Sequence, residues 1–532
     1  MRTFAILFAM VMTMGTANAA HYDVAEKDIA TLQADMAAGR VTSEEIVRAY
    51  LARIEQLDRS GPRLQSVIEV NPNALADARA SDAEREAKGA RGPLHGIPIL
   101  VKDNIETADP IPTTAGSLAL ADNTTHRDAP AVAQLRAAGV IVLGKANLSE
   151  WANIRSSRSI SGWSAIGGLT KNPYVLDRSA CGSSSGSGSA IAASLAAAAL
   201  GTETDGSLVC PGSINGIVAL KPTVGLVSRT HVVPISHSQD TPGPMTRTVA
   251  DAALLLSVMA RSDKDDPATA EADARRADYP TALATASLKG KRLGVIMPDP
   301  GTIPSDTDAV FAQAVAAVKA QGAEIVEIRN LAPPPSDIGT TELTVLEFEL
   351  KHDLNAYLAT LAPGQKIKTL ADAIAFNDST PRETALFGQD IFAKAQSLGD
   401  LTDPAYIKAH DDLRKFSRDF LDKLFNENRL DALIRSTDDA SFRIDIVKGD
   451  NDTSNSSFLP ATAGYPHMTV PMGFVRGLPV GLSFIGPAWS EASLLALGHA
   501  FEQATRARKP PQFLPSLEAE PDTEKAFAPQ AR

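Results

Sequence analysis

The chain has 532 residues, 44% apolar and 21% charged, the balance of a soluble globular protein with enough material for one large core or several. Lys and Arg number 51 against 63 Asp and Glu, a net charge of −12. No basic run offsets that surplus, which argues against nucleic acid or an anionic lipid surface as partner. Two cysteines and no CxxC or HExxH spacing leave no sequence motif for a metal.

The N-terminus reads as a leader rather than as part of the fold. Arg2 opens it, Phe4 to Met14 is apolar, and Ala17-Asn18-Ala19 is a small-x-small cleavage signal. The apolar run is shorter than the ~20 residues that cross a bilayer. Residues 1–19 are therefore expected to be a signal peptide cleaved near Ala19/Ala20, placing a secreted or periplasmic protein with no stable membrane anchor.

The body of the chain alternates helix and strand patterns. Thr42 with Glu45 forms a capping box, followed by Ile46, Tyr50, Leu51, Ile54 and Leu57 at helical spacing. Asn73–Lys88 is helical and stops at Gly89, and the apolar run from Gly96 to Val101 is a strand ending at Lys102. Asp128 caps a helix through Ala138, ahead of a strand at Val140–Leu143. Ala190–Leu200 reads as a buried helix, and Ser262–Leu288, charged and Ala-rich, as a surface excursion. A strand at Lys291–Met297, a helix at Asp306–Ala320 and a strand at Ala323–Ile328 repeat the alternation. Residues 514–532 form a polar tail with three prolines. This order predicts a single α/β domain over residues 20–513, a mixed sheet between helix layers.

The densest chemistry lies at Ser179-Ala180-Cys181-Gly182-Ser183-Ser184-Ser185-Gly186-Ser187-Gly188-Ser189 and, beyond an Ala-rich stretch, at Gly201-Thr202-Glu203-Thr204-Asp205-Gly206-Ser207. A flexible Gly/Ser linker fits poorly, because the run leads straight into apolar sequence. A phosphate-cradling loop lacks its Gly-Lys-Ser/Thr ending. Gly182–Gly186 matches the G-x-S-x-G nucleophile elbow, which would make Ser184 the nucleophile. That elbow needs a strand immediately before it, and the residues from Asn172 to Ser179 read as a loop.

These segments resemble the amidase signature family, whose Ser/Gly-rich loop, small-residue helix and Gly-Thr-Asp-x-Gly-Gly-Ser-like motif they follow. The resemblance continues through Gly96–Asn104, Gly216–Thr223, Asp240–Met245, Ala463–Pro466, Thr469–Gly473 and Gly477–Gly481. It covers nearly all of the mature chain. Cys181 and Asp205, where most relatives have glycine, bring it closest to the peptide amidase branch, exported enzymes that remove the C-terminal amide of peptides. Arg435-Ser436 departs from that pattern, standing where a proline-containing turn is usual.

The resemblance implies an amidase-signature fold and a serine amidohydrolase that needs no metal or cofactor. Ser207 would be the nucleophile and Ser183, after a cis peptide bond from Gly182, the bridging serine. Lys102 would be the base, and Ser184 would help to hold it. The backbone N–H groups of Thr204, Asp205, Gly206 and Ser207 would form the oxyanion hole. An amide demands such a set, because its amine must be protonated as it leaves. Lysine serves as a base only when neutral, and burial at the end of an apolar run favours the neutral form. The implied substrate is a small-molecule or peptide amide. Other family members act on aryl, fatty acid or cyclic oligomer amides, and a non-catalytic binding protein on the same scaffold would be expected to lack Lys102, Ser183 or Ser207. A carboxylate beside a developing oxyanion repels it, so Asp205 is expected to face outward. Cys181 and Cys210 are expected to be small buried thiols, although an exported chain permits a disulfide.

Overall fold

The computed structural model describes residues 22–297, 304–329, 331, 334–451 and 455–527. The expected leader lies outside the described residues. The strands, in chain order, are β1 (Val67–Val70), β2 (Pro98–Lys102), β3 (Ile141–Ala146), β4 (Trp163–Ser164), β5 (Gly168–Leu169), β6 (Ala198–Glu203), β7 (Val218–Lys221), β8 (Thr241–Thr246), β9 (Arg292–Ile296), β10 (Glu324–Ile328), β11 (Ala432–Ser436), β12 (His467–Val475) and β13 (Leu478–Ile485). All but β4 and β5 join one mixed sheet of eleven strands, ordered β1-β3-β2-β6-β8-β7-β12-β13-β11-β9-β10.

β2 runs parallel to both β3 and β6, and β6 is antiparallel to β8. Every residue of β2, β3 and β6 is buried. Side chains alternate between the two faces of a strand, so helices and loops must cover both. That is why these strands read as unbroken apolar runs. Parallel neighbours end together, so Lys102 at the end of β2 and Thr202 near the end of β6 share one edge. Ligand sites in α/β sheets form beyond such strand ends.

Several sequence readings hold. The Ser43–Arg53 helix carries both halves of the Thr42–Glu45 capping box, and the helices at Ala74–Lys88 and Asp306–Ala320 match their predicted spans. Others need correction. Ala190–Leu200 is not one helix: the Ser185–Ala192 helix ends, the chain turns, and β6 begins at Ala198. Alanine prefers helix, and pairing with β2 and β8 overrode that preference at Ala198 and Ala199. Asp128 does not cap the following helix, whose N-cap is Ala129. Its carboxylate instead accepts from Ala108 N at 2.7 Å and from Arg136. Residues 262–288 are not purely superficial, since Ala272, Tyr279 and Leu288 are buried in the main core. Leu514 accepts from Leu176 N at 2.8 Å, and a helix follows at Pro521–Phe527.

Helices at Ile338–Ala359, Leu370–Ser379, Asp390–Ser397 and Pro404–Asn428 form a further layer with its own apolar clusters. The first of these lies against residues 235–240, whose side chains reach the site described next.

Candidate active site

Lys102 is fully buried, and its ammonium nitrogen donates to Ser183 Oγ at 2.8 Å, Thr202 Oγ1 at 2.8 Å and the Thr202 carbonyl at 3.2 Å. Asn104 Nδ2 holds Thr202 Oγ1 from the other side at 3.0 Å. Burial pushes the Lys102 pKa down to about 7, opposed by the carboxylates of Asp240 and Glu203. A burial-depressed lysine is half neutral near neutral pH, which is what a general base requires.

The Gly182–Ser183 peptide is cis, as the resemblance implies. Gly182 has no alternative, since a Cβ there would lie 2.1 Å from Ser149 Oγ. Ser184 is buried, donates its hydroxyl to the Thr202 carbonyl at 3.1 Å and receives Thr202 N at 3.3 Å. No strand precedes it, so the nucleophile-elbow reading fails on both geometry and access. The serine-rich run is no linker either. Ser185, Ser187 and Ser189 are buried and donate to the carbonyls of Cys181, Leu200 and Lys171.

Ser207 is 7% exposed, and its carbonyl accepts from Ser184 N at 3.2 Å. Among the described residues its hydroxyl makes no hydrogen bond to Ser183; the two serines are joined through backbone. The segment from Thr204 to Ser207 is irregular, and the N–H groups of Thr204, Asp205 and Ser207 make no hydrogen bond among the described residues. Unpaired donors in so enclosed a place are rare unless a ligand satisfies them. Gly206 N–H likewise makes no hydrogen bond among the described residues and lies toward the Glu203 carboxylate. Gly206 adopts φ +79°, and a Cβ there would lie 3.0 Å from Ser457 Oγ.

Three residues that sequence reading left unassigned shape this loop. Glu203 is buried and accepts from Leu208 N at 2.8 Å and Val209 N at 3.1 Å, anchoring the helix Val209–Ile214 that follows Ser207. Asp240 accepts from Thr204 Oγ1 at 2.6 Å, and Gln239 Nε2 donates to the Thr204 carbonyl at 3.2 Å. Asp240 and Gln239 lie in or beside quoted motifs, but the distance along the chain to Thr204 hid the contact.

Two expectations are overturned. Asp205 does not point freely into solvent: the residue is half-buried with its carboxyl beside Ser457 and Glu342, and burial raises its pKa to about 6. Burial and the Asp205 charge push the Glu342 carboxyl well above its ordinary range. Cys181 and Cys210 are not thiols but a disulfide, with Cα atoms 6.1 Å apart. The bridge ties the segment entering Ser183 to the helix leaving Ser207.

The sequence profile of the amidase family matches residues 45–495. A probable amidase of Arabidopsis thaliana is 39% identical over 95% of this chain and 96% of its own. A glutamyl-tRNA(Gln) amidotransferase subunit of Synechococcus is 35% identical over 90% of this chain and 92% of its own. The crystal structure of native peptide amidase from Stenotrophomonas maltophilia superposes with a TM-score of 0.86 at 48% identity, covering 92% of this chain and 99% of that one. A complex of peptide amidase with the competitive inhibitor chymostatin gives 0.88 at the same identity, with 92% and 99% covered. Family profile, full-length relatives and superposition agree, and the chain belongs to the amidase signature family, an amide hydrolase.

Proposed function

We propose that this protein is a serine amidohydrolase that releases ammonia from the C-terminal amide of peptides through Ser207, Ser183 and Lys102. The observation that carries the reading is a buried lysine, its pKa brought down to about 7, within 2.8 Å of Ser183 Oγ, whose neighbour Ser184 N bonds the Ser207 carbonyl. Neutral Lys102 draws a proton through Ser183 from Ser207, whose oxygen attacks the amide carbonyl. The N–H groups of Thr204, Asp205, Gly206 and Ser207 receive the oxyanion, and preorganised donors of this kind are worth ~10²–10³-fold each. The proton returns along the same path to the amine, which leaves as ammonia. Water then opens the acyl-enzyme by the reverse relay. Ser183 and Ser207 hydroxyls close to bonding distance when substrate is bound, as catalytic contacts commonly tighten from the free state.

The choice of peptide amides rests on the 48% identity with peptide amidase over nearly the full chain and on the low exposure of Ser207. A crowded nucleophile admits a terminal –NH₂ and rejects a continuing chain, because there is no room for the next residue. The proposed signal peptide would deliver the enzyme to where peptides are met, and the Cys181–Cys210 bridge suits an oxidising compartment.

The test uses one peptide as its C-terminal amide, as the N-methylamide and with an added residue. A gain of one mass unit on the amide alone supports the proposal. Cleavage of internal bonds, or turnover confined to aryl or fatty amides, defeats the substrate assignment. Turnover of glutamine in the presence of a charged tRNA would point instead to the amidotransferase relatives.

A further inference from the structure

His237 and His352-Asp353 are 116 residues apart at the widest along the chain and meet at one point on the surface. His237 sits in the segment 235–240, and the other two lie on the Ile338–Ala359 helix. His237 Nδ1 is 2.9 Å from Asp353 Oδ2, and His352 Nδ1 is 2.8 Å from Asp353 Oδ1. One ligand atom from each of the three falls within 4.8 Å of the others. Ligands on a tetrahedral ion stand roughly 3.3 Å apart at metal–nitrogen distances of ~2.0–2.1 Å, so small side-chain rotations would suffice. We propose that His237, His352 and Asp353 bind a divalent ion of the zinc class and thereby pin the 235–240 segment to this helix.

Two further observations point to an ion rather than to a mere surface ion pair. The other ring nitrogen of His237, Nε2, lies 3.4 Å from Glu349 Oε1. Metal-binding histidines typically give that second nitrogen to a carboxylate, which fixes the ring and its tautomer. Glu349 is fully buried and is itself held by Ser238 at 2.6 Å and Tyr406 at 2.7 Å. The cluster also opens on a cavity of about 440 Å³ lined by His237 and Asp353, with room for the waters that complete an open coordination shell. The nearby cation Arg229 pairs with Asp266 at 2.6 Å and donates to the His237 carbonyl, so it lies beside the site and a bound dication must outweigh its charge. Imidazole with one carboxylate selects Zn²⁺, Ni²⁺ or Co²⁺ over the oxygen-seeking Ca²⁺ and Mg²⁺.

The consequence reaches the active site. Within the same segment Gln239 and Asp240 hold the carbonyl and hydroxyl of Thr204. An ion bridging His237 to the helix would restrain the loop that bears the unpaired N–H donors, without touching substrate.

The experiment titrates Zn²⁺, with Mg²⁺ as control, into chelator-stripped, tag-free protein by calorimetry, and follows amide hydrogen exchange with and without Zn²⁺. One equivalent of Zn²⁺ should bind and Mg²⁺ should not. His352→Ala should weaken binding by about tenfold or more, and Ser207→Ala should bind as the wild type does. His352 is exposed, so its removal does not threaten folding. Zn²⁺ should slow exchange in segment 235–240. Absence of saturable Zn²⁺ binding, unchanged affinity in His352→Ala, or protection located elsewhere would overturn the proposal.

Discussion

Replacing Lys102 with Met keeps much of the volume of a fully buried side chain while removing the amine that the proposed mechanism uses as its base. General-base catalysis is worth ~10²–10⁴-fold, or ~2.7–5.4 kcal/mol at 1.36 kcal/mol per decade. Lys102→Met should therefore lower kcat by at least a hundredfold. The pH profile gives a second, independent readout. With its pKa depressed to about 7, Lys102 is protonated as pH falls through neutrality and only the neutral fraction works. In the wild type kcat/KM should then rise about tenfold between roughly pH 6 and 8 and level off above. The variant's residual activity should lack that ascending limb. The assay is ammonia release from a peptide amide across pH 5.5–9 in buffers of constant ionic strength, about 0.1 M. A variant that kept the same limb would show that another group titrates there. A wild-type limb displaced toward the ordinary lysine range would show that Lys102 is not held neutral.

Ser207→Ala should abolish turnover and labelling by serine-directed phosphonates, with the protein still folded by circular dichroism; labelling at Ser184 would revive the elbow reading. Gly206→Ala forces a side chain onto φ +79° and within 3.0 Å of Ser457 Oγ. Its expected cost is ~1–2 kcal/mol of stability from the left-handed backbone, read by denaturant melts. The accompanying shift of the unpaired N–H groups should cost kcat ~10²-fold. Replacing both Cys181 and Cys210 with Ala opens a bridge spanning a separation of 29 residues, which the loop-entropy relation values at roughly 3–4 kcal/mol. For a chain of this length that is a drop in Tm of about 3 °C, and an unchanged Tm would mean that the bridge adds nothing to stability.

By itself the sequence determined the elements that local chemistry dictates. The Thr42–Glu45 box, the stop at Gly89 and the Asp306–Ala320 helix depend on neighbours three or four residues away, so they could be read directly. Motif wording then indicated that Lys102 and Ser183 meet, although spacing alone could not have joined them. Tertiary structure decided what depends on distant partners. Residues 198–203 became strand because pairing with β2 and β8 overrode the helix preference of the alanine run that leads into them. The cysteines became a bridge because β6 returns the chain, laying the helix after Ser207 beside the Ser183 loop. Asp205 came to lie beside Ser457 and Glu342, residues far along the chain, and burial there raises its pKa. Charge and hydrogen-bond satisfaction in a buried site are settled by whichever groups the fold brings within a few ångströms, and no periodicity in the sequence records that distance.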